Sequence, residues 1–203
     1  HRVYLPLALR TGCLIKRRPL DVVLVLDASS SMTEPSATGA GTKLDAARAA
    51  AQRFVQLVDA DDRVAVVSFH ASATRHTGLT SDPAALAAAL DGITSAVGTR
   101  IDLGLVEAAA ALEAARPTAL PVVIVLTDGL QNDPPGNAPV LAAAARLKAG
   151  EAIVFAIGLG ATIDRTLLET VASTPDRFYP SPTDQDLAAI YADIQSRLAC
   201  DGQ

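Results

Sequence analysis

Apolar and polar positions follow two rhythms along this chain. Residues 20–26 (LDVVLVL), 63–69 (RVAVVSF), 121–127 (PVVIVLT) and 152–158 (AIVFAIG) are apolar runs of strand length, rich in valine, isoleucine and leucine. Such runs mark strands buried on both faces. Between them the period changes to that of a helix. Over 43–58, Leu44, Ala47, Ala51, Phe54, Val55 and Val58 fall on one helical face. Residues 100–115 read as a helix that stops before Pro117, 137–150 as a helix ended by Gly150, and 184–198 as a final amphipathic helix. Asp82-Pro83 opens another helix with proline in its first turn, and 164 to about 172 is also helical. Residues 75–79 and 177–180 add short strands, and 33–42 (TEPSATGAGT) reads as a flexible loop. Strands alternating with helices predict a parallel sheet covered on both sides. The expected fold is α/β: a single doubly wound (Rossmann-like), mostly parallel sheet of about six strands. That domain is expected over 19–200, with 1–18 as an N-terminal extension.

Composition changes this picture only at its edges. Of the 203 residues, 50% are hydrophobic but only 3% aromatic, so alanine and the aliphatics must fill the core. A net charge of −5 argues against a nucleic-acid-binding surface, which needs a basic stripe. The short cluster Lys16-Arg17-Arg18 reads as a solvated lead-in to the first strand. No apolar run reaches the ~18 residues of a membrane span. The opening HRVYLPLALR is short, broken by Pro6, and lacks the form of a complete signal peptide. Cys13 and Cys200 lie close to opposite ends of the chain. They are either a clasp between neighbouring termini, which implies an oxidising compartment, or two unrelated thiols. Their placement just outside the folded elements favours the clasp.

The stretch VVLVLDASSSMTEP (22–35) raises the chemical question, because an aspartate ends a buried strand and three serines follow it. A buried carboxylate is costly unless something positive or hydrogen-bonding satisfies it. In open parallel sheets, ligands bind beyond the carboxyl ends of the strands, where the winding reverses. Asp27, Ser29 and Ser31 follow one strand end, Asp128-Gly129 follows another, and Gly98-Thr99-Arg100 opens the helix between them. Each piece alone has an ordinary reading, a serine cap or an aspartate-glycine turn. Together they offer two carboxylates and three hydroxyls, the donors of a hard cation such as Mg²⁺. No soft ligand stands nearby, which disfavours zinc.

The constellation DASSS, GT and TDG, in that order on those elements, resembles the metal-ion-dependent adhesion site of the von Willebrand factor A family. The likeness covers about residues 20–200. It implies that Asp27, Ser29, Ser31, Thr99 and Asp128 hold Mg²⁺ (or Mn²⁺ or Ca²⁺ in its place), and that a protein partner presents an acidic side chain to the ion. It also implies a non-enzymatic adhesion module at the cell surface or outside the cell, with no nucleic-acid or membrane-spanning role. Ser30 departs from the glycine that many members carry, at a position that is not a ligand. Binding in such domains can move the last helix, here 184–198. A Cys13–Cys200 bond would anchor its end, so a largely fixed affinity is expected. The alternatives are an intracellular subunit of a chelatase or ATPase-chaperone assembly, or a phosphatase of the haloacid dehalogenase type. The phosphatase would use Asp27 as nucleophile with Asp128 and Asp133 on the metal. It lacks the second aspartate two residues on, where Ser29 stands, and so lacks its general acid. A serine hydrolase has no G-x-S-x-G elbow here, and no phosphate-binding G-x-x-x-x-G-K-[ST] occurs. His70 and His76 are expected in loop and surface roles.

Overall fold

In the computed structural model of the chain, residues 18–37, 39–132, 136–181 and 183–201 are described. Cys13, and with it the expected disulfide, lies outside them, as does Asp133. Six strands form one sheet: β1 (Leu20–Asp27), β2 (Arg63–Phe69), β3 (Ala73–Thr80), β4 (Leu120–Thr127), β5 (Ile153–Leu159) and β6 (Phe178–Ser181). Their order across the sheet is β3-β2-β1-β4-β5-β6. All neighbours are parallel except β2 and β3, which pair antiparallel at one edge. The helices are α1 (Lys43–Leu57), α2 (Pro83–Asp91), α3 (Ile101–Leu112), α4 (Ala138–Ala149), α5 (Arg165–Val171) and α6 (Leu187–Asp201).

The alternation of side chains along each strand divides the core into two layers. Val22, Leu24 and Leu26 of β1 join Phe54 of α1, Leu90 of α2 and Tyr191 and Ile194 of α6 on one face. Val23 and Val25 point the other way, onto Ile101 and Leu105 of α3, Val140 of α4 and Leu168 of α5. This is why the strands read as unbroken apolar runs: both faces are covered. Phe54 and Tyr191, with ring centroids 5.6 Å apart, replace a larger aromatic core.

Local chemistry sets several element ends. Thr42 caps α1 through a reciprocal capping box with Asp45, and Asp82 accepts from the Ala84 N–H at 2.9 Å to start α2. At the amino end of β1, Asp21 is fully buried. Its carboxylate takes Arg63 Nη2 at 2.7 Å and Arg116 Nη2 at 2.7 Å. Burial alone would raise its pKa, but these two guanidiniums hold it below the ordinary carboxylate value.

The loop 33–42 is bridged by antiparallel pairing of Pro35 with Thr42. It is pinned further by a hydrogen bond from the Ala37 N–H to Asp184. His76 is not a plain surface residue: it is half-buried, and Nε2 lies 2.8 Å from Ser68 Oγ. Burial, then the Arg48 charge, lowers its pKa. A lone histidine between polar neighbours gives no periodic signal that would reveal such a partner.

Candidate metal centre

The winding reverses between β1 and β4, so the site must form where these two strands end. Their register pairs Leu26 with Leu126. Asp27 therefore stands beside Thr127, and Asp128 follows immediately. Thr127 Oγ1 donates to Asp27 Oδ2 at 2.5 Å, and the Ser29 N–H donates to Asp27 Oδ1 at 2.7 Å. Asp27 is wholly buried. No cation is paired with it among the described residues. Burial, the largest influence, pushes its pKa up to about 6; bonds from Ser29 and Thr127 work the other way, and the charge of Asp128 adds to the rise.

Ser29 and Ser31 resolve the question that the sequence leaves open. Ser29 occupies the cap position of the short 3₁₀ turn Ser30–Thr33, yet its side chain makes no capping hydrogen bond. Instead the Ser29 and Ser31 hydroxyls lie 3.0 Å apart, and Ser31 Oγ donates to Asp128 Oδ1 at 2.6 Å. The hydroxyls face the carboxylates rather than the helix end. Ser30 is exposed, and Met32 behind it is buried. Ser29 and Ser31 thus share an orientation that their neighbours Ser30 and Met32 do not.

Thr99 arrives from a third loop, and glycine is what lets it do so. Gly98 has φ +102°, and a Cβ there would stand 2.8 Å from the Ala71 backbone. The Arg100 N–H donates to the His70 carbonyl at 2.8 Å, fixing the loop to the β2–β3 turn. The Thr99 N–H donates to Asn132 Oδ1 at 2.7 Å, and the Asn132 N–H returns to the Thr99 carbonyl at 3.0 Å. A Cβ built on Gly129 would lie 3.7 Å from Thr99 Oγ1, so this hydroxyl sits directly over the Asp128-Gly129 turn.

All five residues singled out in the sequence thus meet at one sheet edge. The structure adds three others at this edge: Thr127 on Asp27, Asn132 on Thr99, and Lys43, whose Nζ lies 2.9 Å from Asp128 Oδ2. Thr127 was visible as the last residue of its strand. Lys43 was not, because a lysine opening an amphipathic helix is ordinary. Among the described residues, no three His, Cys, Asp or Glu side chains gather into a metal-binding group. The donor set is instead two carboxylates with hydroxyls, which suits a hard cation that keeps some of its water. The buried, cation-free Asp27 and the ammonium drawn to Asp128 both mark a place where positive charge is favoured.

The chain belongs to the von Willebrand factor type A domain family, whose model matches residues 21–193. No curated protein matches it significantly. Among solved structures, it is similar to proximal thread matrix protein 1 of the mussel byssus with a zinc-occupied MIDAS motif. That likeness has 26% identity and a TM-score of 0.77, covering 90% of this chain and 46% of the mussel protein. The chain therefore spans about half of that protein. The vWF domain of the type V pilus tip protein Mfa5 from Porphyromonas gingivalis matches with a TM-score of 0.80 at 18% identity, covering 93% of this chain and 98% of that one. The pilus adhesin SpaC from Lactobacillus rhamnosus GG matches with 0.77 at 18% identity, covering 91% and 31%. These last two establish the likeness of fold.

Proposed function

We propose that Asp27, Ser29, Ser31, Thr99 and Asp128 hold a divalent cation, and that the ion grips an acidic side chain of a protein partner. The observation that carries this reading is the orientation of two hydroxyls: Ser29 Oγ makes no cap and instead meets Ser31 Oγ, which donates to the buried Asp128. Asp27 would supply charge from the β1 end, with Thr127 and the Ser29 N–H fixing its oxygens. The serines and Thr99 would supply neutral oxygen donors. Such a shell leaves the bound ion net positive and partly hydrated, so a carboxylate can replace one of its waters. Mg²⁺ is the proposed ion, with Mn²⁺ or Ca²⁺ as substitutes. The zinc held in the mussel protein's motif makes Zn²⁺ a further ion to test.

The rim suits a protein partner. Val97 and Leu130, two of the exposed large apolar side chains, flank Thr99 and Asp128 at 78% and 52% exposure. They would give the partner apolar contact around its acidic residue. The pilus and byssus neighbours support an adhesion-type, non-enzymatic role outside the cell. Among the described residues, no helix is long and apolar enough to cross a membrane. The domain is proposed to occupy 19–200 with 1–18 as an extension, clasped by a Cys13–Cys200 disulfide that peptide mass spectrometry would detect.

Calorimetric titration of wild type and Asp27→Ala with Mg²⁺, Mn²⁺ and Zn²⁺ tests the centre. Loss of binding in the variant is expected, and equal binding in both overturns the assignment. A Mg²⁺-dependent phosphatase activity would overturn the non-enzymatic reading.

A further inference from the structure

Lys43 is a cation in direct contact with one of the proposed metal ligands, Asp128. It begins α1, held there by the capping box of Thr42 and Asp45. Its Nζ bridges two carboxylates, Asp128 Oδ2 at 2.9 Å and Glu34 Oε2 at 2.6 Å. Glu34 is well exposed, whereas the Asp128 side chain is fully buried. The dry contact is therefore the stronger one. A divalent ion on Asp128 and the Lys43 ammonium carry like charge and claim the same carboxylate.

A further carboxylate shares a cavity with Lys43: Pro35, Gly160 and Asp184 line, with the lysine, a space of about 120 Å³. Asp184 is only 6% exposed. Its Oδ1 accepts from the Ala37 N–H at 3.0 Å, but its Oδ2 is buried and has no hydrogen-bond partner among the described residues. A buried carboxylate oxygen without a donor is costly, and it marks a place ready for a cation or a hydrogen-bond donor. Lysine is a point charge on a flexible four-carbon stem, able to exchange one acceptor for another.

We propose that Lys43 is a tethered cation that competes with the divalent ion for Asp128, and that Asp184 receives its ammonium when the ion binds. The proposal rests on the metal reading above and assigns its regulation. Lys43 lowers the intrinsic affinity for the ion, and Asp184 restores part of it by giving the displaced charge a partner. Because Asp184 also holds the 33–42 loop through Ala37 and precedes α6, ion occupancy would be reported to both elements.

The test is a double-mutant cycle read by Mn²⁺ titration calorimetry on wild type, Lys43→Gln, Asp184→Asn and the double variant, all as the whole chain. Lys43→Gln is expected to tighten Mn²⁺ binding about tenfold by removing the competing charge. Asp184→Asn keeps the acceptor for Ala37 and is expected to weaken binding about fivefold when Lys43 is present. In the double variant, where the side chain at position 43 is neutral, the same change is expected to have no effect. Unchanged or weaker binding by Lys43→Gln overturns the proposal. So does an Asp184→Asn effect of equal size in both backgrounds. Lys43→Met, closer in shape to the stem, serves if the glutamine variant does not fold. Absence of Mn²⁺ binding to wild type would instead remove the metal reading itself, so the two failures are distinct.

Discussion

Asp27 sets the chemistry of the site, and its environment makes a testable claim about pH. Its pKa in the fold is about 6, above the 3.8 of an ordinary aspartate. The folded protein therefore binds this proton more tightly than the unfolded chain does. The associated stability is fully present below about pH 3.8 and is lost as pH rises through about 6. In chelator, Asp27→Asn should be equal to wild type near pH 4 and gain on it by about 3 kcal/mol at neutral pH, as read from denaturant midpoints. A divalent ion should reverse this ranking by stabilising wild type alone. Protons would also compete with the proposed ion for Asp27, so metal affinity should fall as pH drops through 6. A wild type whose stability in chelator gains nothing from Asp27→Asn at neutral pH would show that Asp27 is already compensated.

The elements hold these residues to their positions through close packing and buried charge. Gly104 lets α3 lie deep against the sheet: a Cβ there would stand 2.7 Å from Phe69 Cδ1 and 3.0 Å from Val25 Cγ1. Alanine is the better helix former by about 0.5–1 kcal/mol. Overpacking typically costs ~1–3 kcal/mol, so packing should prevail. Gly104→Ala is expected to lower the melting temperature and to weaken metal binding, because Thr99 opens this helix. A stabilised Gly104→Ala protein would show that the helix depth is free to adjust. At the opposite end of β1, Arg63 and Arg116 neutralise the buried Asp21. Removing both arginines leaves a buried charge unpaired, with an expected loss of about 3–5 kcal/mol in chemical denaturation. Asp21 titrates below the ordinary value, so its contribution is present above about pH 3.8 and fades as pH falls through the depressed pKa. The deficit of Asp21→Asn against wild type should therefore shrink on acidification.

For the molecule as a whole, an ion that binds only the folded state must stabilise it. At an ion concentration about 100 times the dissociation constant, the gain is about 2.7 kcal/mol. For a domain of this size that corresponds to roughly 5–10 °C in melting temperature. Scanning calorimetry with and without Mg²⁺ should show this shift in wild type and none in Asp27→Ala. A shift of equal size in Asp27→Ala would place the ion elsewhere.

The elements and the sheet class were legible in the order of residues alone, because strands buried on both faces must be apolar throughout and covering helices must be amphipathic. That order also singled out Asp27, Ser29, Ser31, Thr99 and Asp128, since each follows a strand end or opens a helix, where a doubly wound sheet collects its loops. Whether the serines cap a turn or face the carboxylates stayed open, because both uses require the same residue types. The packing of three loops answered it, through Gly98 against Ala71, Asn132 on Thr99, and the register that sets Thr127 on Asp27. Lys43 and Asp184 stayed hidden for a related reason. Their roles depend on which charges are brought together across distant parts of the chain, and no local pattern records that distance.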